Sequence, residues 1–373
     1  PIPASVRGTV YHDRNNDGLQ VTGEEGIPDV LVSLVDANGV TVDVQLTDGN
    51  GDYAFESVAA GTYSISETHP NAWTDGLDAA GTIDGQVVGA AANPGDAIEQ
   101  IVIDNGDNGI EYNFGEYLPA EINGRVQQST REGDCFGESE DHLPIAGATV
   151  QLLDADGNVI DEAITDGNGE YAFTGLAPGN YGLREITPEE FIDGGSREGS
   201  IDGNSTGTVD PQGTIRDIQL GSDQVGDEYL FCEHLPAVIG GTVYHDANGN
   251  GVPDPGEEGI PGTEVQLRDE NGTVIQTVIT DENGDYQFSG VLPGNYMIVE
   301  VQPVGWLDGG DQVGEVNGVT SGELDGGGDK VNNIEIGWGD TGTNYDFGEV
   351  LPASIAGRVH MDIVLDCEFN PVD

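Results

Sequence analysis

Residues 47–65 read TDGNGDYAFESVAAGTYSI. A polar turn built on Asp48, Asn50 and Gly51 leads into a short run in which Tyr53 and Phe55 share one face, because alternate side chains of a strand point the same way. A Gly-rich corner returns the chain into a second run that carries Tyr63. The passage recurs as TDGNGEYAFTGLAPGNYGL at 165–183 and TDENGDYQFSGVLPGNYMI at 280–298, which puts Tyr171/Phe173/Tyr181 and Tyr286/Phe288/Tyr296 at matching places. Alternation broken by Gly-containing turns is strand chemistry, and no window sustains the 3.6-residue period of a helix. The chain reads as all-β.

Upstream of each copy lies a hairpin: IPDVLVSLVDANGVTV at 27–42, IAGATVQLLDADGNVI at 145–160 and IPGTEVQLRDENGTVI at 260–275. Asn-Gly and Asp-Gly between alternating apolar residues supply the positive φ that hairpin turns require. Downstream, a Gly/Asp-rich region holds weaker strands and ends in a closing strand: EYNFGEYLPA, EYLFCEHLPA or NYDFGEVLPA. Opening segments begin at Pro3, Pro119, Pro236 and Pro352, separated by 116, 117 and 116 residues. Self-similarity at a fixed period defines the organisation. The expected domains are 1–118, 119–235 and 236–351, with 352–373 the start of a fourth. Roughly eight short strands per unit predict a β-sandwich. The Leu-Pro-Ala joints are too short to be flexible linkers, so an elongated rod of semi-rigid tandem domains is expected.

Only ten residues are Lys or Arg against 69 Asp or Glu, for a formal net charge of -59. That balance excludes binding to nucleic acid through phosphates and disfavours an anionic membrane surface. The natural counterions are cations, and self-repulsion on this scale weakens a compact state unless it is neutralised. No run approaches the roughly 18 apolar residues of a membrane span. The chain starts at Pro1 inside a repeat and shows no leader, so it reads as a processed piece or fragment.

The stretch HDRNNDGLQVTGEEG at 12–26 matches a calcium loop. Counting from Asp13, the ligand positions 1, 3, 5, 7 and 12 fall on Asp13, Asn15, Asp17, the Leu19 carbonyl and Glu24, with Gly18 at the sharp turn. Alternate side chains of a coiled loop converge on one hard cation, and the distal Glu can close the shell with two oxygens. The third unit repeats the spacing with Asp246, Asn248, Asn250, Val252 and Glu257, and Asp254 stands at position 9. Calcium (Ca2+) is expected at both, in preference to Mg2+, which demands octahedral geometry. Asp104 and Asp107 in the DNGDNG run are possible further ligands, although such patterns are also ordinary turn chemistry.

The second unit breaks the pattern. Its stretch QQSTREGDCFGESEDHLP places Ser129 and Arg131 where Asp and Asn would stand. No equivalent site is expected there, or a poor one using Asp134, Glu138 or Glu140. Cys135 lies in this loop, and Cys232 replaces Gly115 and Gly348 of the other closing strands. A disulfide stapling loop to strand is one reading. A Cys2His2 zinc site with His142 and His234 is another, and two separate thiols a third. Cys367 has no partner within its own unit.

The elements VYHDRNNDG, GEEGIPDVLVSLVD, TDGNGDYAF and GTYSISE together resemble the B-type domains of serine-aspartate-repeat surface proteins, close to the collagen-adhesin B family. The resemblance spans all three units and the fourth fragment. It implies prealbumin-like or Ig-like sandwiches, an extracellular, secreted or cell-surface location, a stalk role and calcium-dependent rigidity, with loops at Asp13–Glu24 and Asp246–Glu257. Many collagen-adhesin B domains are locked by a Lys–Asn isopeptide bond. Lys330 is the only lysine, so the first two units cannot form one.

The expected function is a non-enzymatic, calcium-stabilised module of a stalk, fibre or adhesin. Its partners would be neighbouring repeats, with self-association into fibres as an extension. The alternative is direct binding of a protein or glycan ligand through an exposed aromatic patch. Trp73 and Trp306 sit at matching places and read as packing residues, which leaves Trp338 as the patch candidate. Six histidines without a hydrolase motif give catalysis no foothold.

Overall fold

A computed structural model describes residues 2–137, 142–357 and 359. Among the described residues there is no helix, so none is long and apolar enough to cross a membrane. Each repeat folds as a seven-stranded sheet packed on a five-stranded one, a β-sandwich repeated three times. The strands outnumber the eight or so expected per repeat. The extra ones are two- or three-residue pairings in the Gly/Asp-rich region, such as Thr82–Ile83 with Gln86–Val87. They are too short to leave an alternating apolar signature.

In the first repeat the opening strand Ala4–His12 lies inside the larger sheet. It runs antiparallel to Asp52–Val58 and parallel first to Asn108–Ile110, then to Phe114–Tyr117. The smaller sheet runs in the order Thr41–Leu46, Leu31–Asp36, Gly61–Glu67, Ala97–Ile103, Ala90–Ala92. Val6, Val10, Phe55 and Phe114 face Val32, Leu34, Ile65 and Ile98 across the core. Each such side chain contributes about 1.5–3 kcal/mol when fully buried. Tyr53 packs edge-on against Phe55, and its hydroxyl donates to the Tyr112 carbonyl at 2.7 Å. Tyr171 and Tyr286 make the equivalent bonds to Tyr229 and Tyr345. The opening motif therefore places an amphipathic ring in the core with its polar end satisfied.

The opening strand changes parallel partner beside Gly8. A Cβ there would stand 1.7 Å from the Tyr112 carbonyl oxygen, and the equivalents Gly124 and Gly241 show 2.1 Å to Tyr229 and 1.9 Å to Tyr345. We expect Gly8→Ala to destabilise the first repeat by about 1–3 kcal/mol or more, since the backbone must move to admit a methyl group. Thermal unfolding checks this against Gly49→Ala, a site with nothing within 4 Å of the added Cβ.

By compactness the chain divides into two units, residues up to Thr130 with Asp134–His234, and Arg131–Gly133 with Leu235 onward. Within the first unit, Ser222 ties the first repeat to the second. Its amide donates to the Arg14 carbonyl at 2.9 Å, and its hydroxyl meets His12 Nε2 at 2.6 Å and accepts from the Leu118 amide at 2.8 Å. Within the second unit, Arg131 Nε donates to both oxygens of the buried Asp340 carboxylate at 2.8 and 2.9 Å. The Trp338 amide donates to the Arg131 carbonyl, and Trp338 is half-buried rather than a free aromatic face. Trp73 and Trp306 pack edge-on against His12 and His245, the packing role expected of them. Lys330 forms an ion pair with Asp325 at 3.0 Å.

Candidate metal centres

Asp13 stands at the end of the opening strand, wholly buried, with its amide donating to the Glu116 carbonyl at 2.8 Å. Its carboxylate accepts from the amides of Asp17 and Gly18 at 3.2 and 2.8 Å. Burial raises its pKa, and these backbone donors oppose the rise. Glu24 folds back across the loop and accepts from the Arg14 and Val21 amides at 3.0 and 2.9 Å. Asp17 accepts from the Leu19 amide and from Asn15 Nδ2. Asp13, Asp17 and Glu24 thus each accept hydrogen bonds from within the loop, which bends at Gly18, whose φ is 74°.

The third repeat builds the same loop. Asp246 accepts from the amides of Gly249, Asn250 and Gly251, and Asn250 Oδ1 accepts from Val252. Glu257 accepts from Ala247 and Asp254, while the Asn248 and Asn250 side chains both donate to Asp254 Oδ2 at 2.8 Å. Asp107 has a different partner: its carboxylate accepts from the Asp104 amide at 2.7 Å. Gln224 and Asp340 cap the matching turns in the same way, the ordinary turn chemistry of such a run.

A second constellation was not read from the sequence. Glu67, His69, Asp96 and Glu116 place ligand atoms within 4.8 Å of one another, as do Glu300, Asp329 and Glu349 of the third repeat. Glu116 is wholly buried, and among the described residues neither its oxygens nor those of Glu67 find a hydrogen-bond donor. Both oxygens of Glu300 and Oε1 of Glu349 are likewise orphaned. His69 Nδ1 lies 3.4 Å from Asp96 and 3.5 Å from Glu116. Burial opposes charge on His69, but the Trp73 carbonyl and the Asp96 carboxylate raise its pKa on balance. Burial and then neighbouring carboxylates raise Glu116 and Glu300. Asp78, beside the first cluster, is pushed up to about 9 by burial and the Glu67 charge. Crowded buried carboxylates without donors must hold protons or a cation. The orphaned oxygens are hard donors that fit a hard divalent ion.

The clusters lie where strand ends converge. Glu67 ends Gly61–Glu67, Asp96 precedes Ala97–Ile103, and Glu116 lies in the closing strand. A signal was present in the inward alternation Tyr63, Ile65, Glu67, where a Glu follows two core residues. The same place holds Glu185 and Glu300, and closing strands supply Glu233 and Glu349.

In the second repeat, Thr187, Ser196 and Gly213 stand where the first has His69, Asp78 and Asp96. Cys135 and Cys232 are joined as a disulfide with Cα atoms 5.6 Å apart. His234 Nδ1 contacts Ser129 Oγ at 2.7 Å, and His142 Nε2 contacts the Asp134 carbonyl at 3.0 Å. With both sulfurs bonded to each other, the Cys2His2 reading fails. Asp134 caps its own turn through the Phe136 and Gly137 amides. Glu138, Glu140 and Cys367 lie outside the described residues.

The profile of the SdrD B-like domain family matches residues 4–115, 131–230 and 237–349. Serine-aspartate repeat-containing protein F of Staphylococcus epidermidis (strain ATCC 12228 / FDA PCI 1200) is 34% identical over 312 residues, covering 81% of this chain and 18% of its own length. Serine-aspartate repeat-containing protein D of Staphylococcus aureus (strain Newman) is 33% identical over 328 residues, covering 84% of this chain and 23% of its own. The chain therefore spans about a fifth of these relatives. Among solved structures, BcpA, the major pilin subunit of Bacillus cereus, superposes with a TM-score of 0.34 at 15% identity, covering 94% of this chain and 99% of that one.

Proposed function

Because the chain belongs to the SdrD B-like domain family, we propose that it is a calcium-stabilised structural module of a cell-surface stalk or fibre, without catalytic activity. The observation that carries the reading is the paired loss in the second repeat. Where the loop lacks its acidic ligands, the buried cluster lacks three of its partners as well, and a disulfide closes the same region. This joint loss supports treating loop and cluster as one cation-holding assembly. They are also linked physically, since the Asp13 amide bonds to the Glu116 carbonyl.

A bound calcium ion would supply positive charge where this chain has almost none. The residues that would hold it in the loops are Asp13, Asn15, Asp17, the Leu19 carbonyl and Glu24, with Asp246, Asn248, Asn250, the Val252 carbonyl and Glu257 in the third repeat. Asp254 steadies the second loop through its two Asn partners. In the clusters, Glu67, Asp96 and Glu116, and Glu300, Asp329 and Glu349, would exchange protons for metal. The first loop also carries the joint to the next repeat through the Arg14 carbonyl, so stiffening the loop stiffens that joint. Neighbouring repeats are the natural partners, and lateral or end-to-end assembly into fibres would extend the same role.

Calcium titration by calorimetry tests this. Two loops and two clusters predict four ions, with protons released in proportion to the buffer's ionisation enthalpy. Absence of binding heat at millimolar calcium would contradict the proposal. The pH dependence has a definite sign. Asp78 rises from 3.8 to about 9, so its stability contribution is complete below the unfolded value and is lost as pH rises toward 9. The chelated protein is therefore expected to melt at lower temperature at about pH 8 than at about pH 5, while calcium removes most of that difference. Melting curves across pH with and without chelator check it.

A further inference from the structure

The second repeat keeps two members of the buried cluster and replaces three of the groups around them. Glu185 and Glu233 occupy the places of Glu67 and Glu116, while Asp96, Asp78 and His69 are replaced by Gly213, Ser196 and Thr187. Glu233 is 1% exposed, and among the described residues neither its Oε2 nor Oε1 of Glu185 has a donor. The two carboxyls face each other at hydrogen-bonding contact. Two carboxylates in contact share no hydrogen unless one is protonated.

The surroundings offer little to neutralise a second charge. Asp193, opposite Glu233 on the neighbouring strand, adds a further negative group. The Thr187 hydroxyl bonds to Glu185 but is uncharged. His234, next in sequence to Glu233, turns Nδ1 to Ser129, and burial lowers its pKa. Arg184, next to Glu185, is engaged by Gln151.

We propose that in the second repeat a proton shared between Glu185 and Glu233 takes the place that a cation takes in the other two, so that this repeat is stabilised by pH and not by calcium. Burial raises both groups above the usual carboxylate range, consistent with a retained proton. Stability from the pair is complete below the unfolded Glu value of 4.5 and is lost as pH rises through the folded values. The three repeats would then answer to different conditions. The first and third would loosen when calcium is scarce, the second when the medium turns alkaline.

The proposal rests on the calcium reading only for the contrast between repeats. The test is a side-chain carboxyl titration of the full chain, labelled with 13C at Glu Cδ and held in saturating calcium. The expected result is one coupled pair of Glu carboxyls titrating above the rest, abolished by Glu233→Gln and again by Glu185→Gln. Amide exchange in residues 120–234, corrected for intrinsic rates, should accelerate by up to about tenfold per pH unit through that window. All Glu carboxyls ionised by about pH 6 would overturn the proposal, as would a late pair that calcium shifts. Should calcium fail to alter any Glu of the first and third repeats while the late pair persists, the calcium reading falls and the proton pair stands.

Discussion

Asp13→Ala is expected to lower the melting temperature of the first repeat by roughly 10 °C or more in calcium and to abolish one loop's share of calcium binding. Two effects combine. The wholly buried carboxylate accepts from the Asp17 and Gly18 amides, and removing it orphans both donors at about 1–3 kcal/mol. On the calcium proposal the loop also loses its first ligand, and with it the stabilisation calcium would supply by binding only the folded state, about 2.7 kcal/mol at 100 times Kd. Asp246→Ala should do the same in the third repeat. Asp134→Ala in the second should be nearly silent toward calcium, because among the described residues that side chain accepts from the Phe136 and Gly137 amides of its own turn. Differential scanning calorimetry of each variant, with and without chelator, separates the effects: the loss of turn bonds persists in chelator, and the loss of calcium does not.

Opening the disulfide is expected to have the other large effect. Cys135 and Cys232 are 97 residues apart in sequence. In the chain-entropy account a closed loop of about 100 residues contributes about 4.7 kcal/mol by restricting the unfolded chain. The pair joins the second repeat's degenerate loop to its closing strand, where the other repeats place Gly115 and Gly348 beside Asp13 and Tyr244. Cys135→Ser with Cys232→Ala, or a strong reductant, should therefore unfold the second repeat well before its neighbours, and calcium should not rescue it. An unchanged second transition after complete reduction, verified by thiol counting, would show that the staple contributes nothing.

The repeats, the all-β class and both loops were legible because each is written locally: a turn residue, an alternation or a ligand spacing lies within about a dozen residues. The loop hydrogen bonds follow from the same spacing, since Asp13 can reach the amides of positions 5 and 6 only if the loop coils. The buried clusters were not legible as a group because Glu67, Asp96 and Glu116 come from three separated segments. Only the sheet order, which sets Gly61–Glu67 beside Ala97–Ile103, and the packing of sheet on sheet bring them together. In so acidic a chain, a Glu on an inward strand position is hard to tell from a solvated one. The short pairings of the Gly/Asp-rich region were missed for another reason: two-residue strands carry no period at all. Arg131, at the place of Asn15 and Asn248, pairs with Asp340 at 2.8 Å, a partner more than 200 residues away that no local pattern could name.

The most direct test is amide hydrogen exchange on the intact chain as calcium is raised from chelator to saturation, read repeat by repeat. Protection should rise in residues 4–118 and 236–351, starting at 13–24 and 246–257 and at the strand ends that carry Glu67, Glu116, Glu300 and Glu349. Residues 120–234 should hold constant apart from the turn around Ser222, which touches the first loop. Equal gains in all three repeats, or none in any, would contradict the claim that the first and third are built around cations and the second is not.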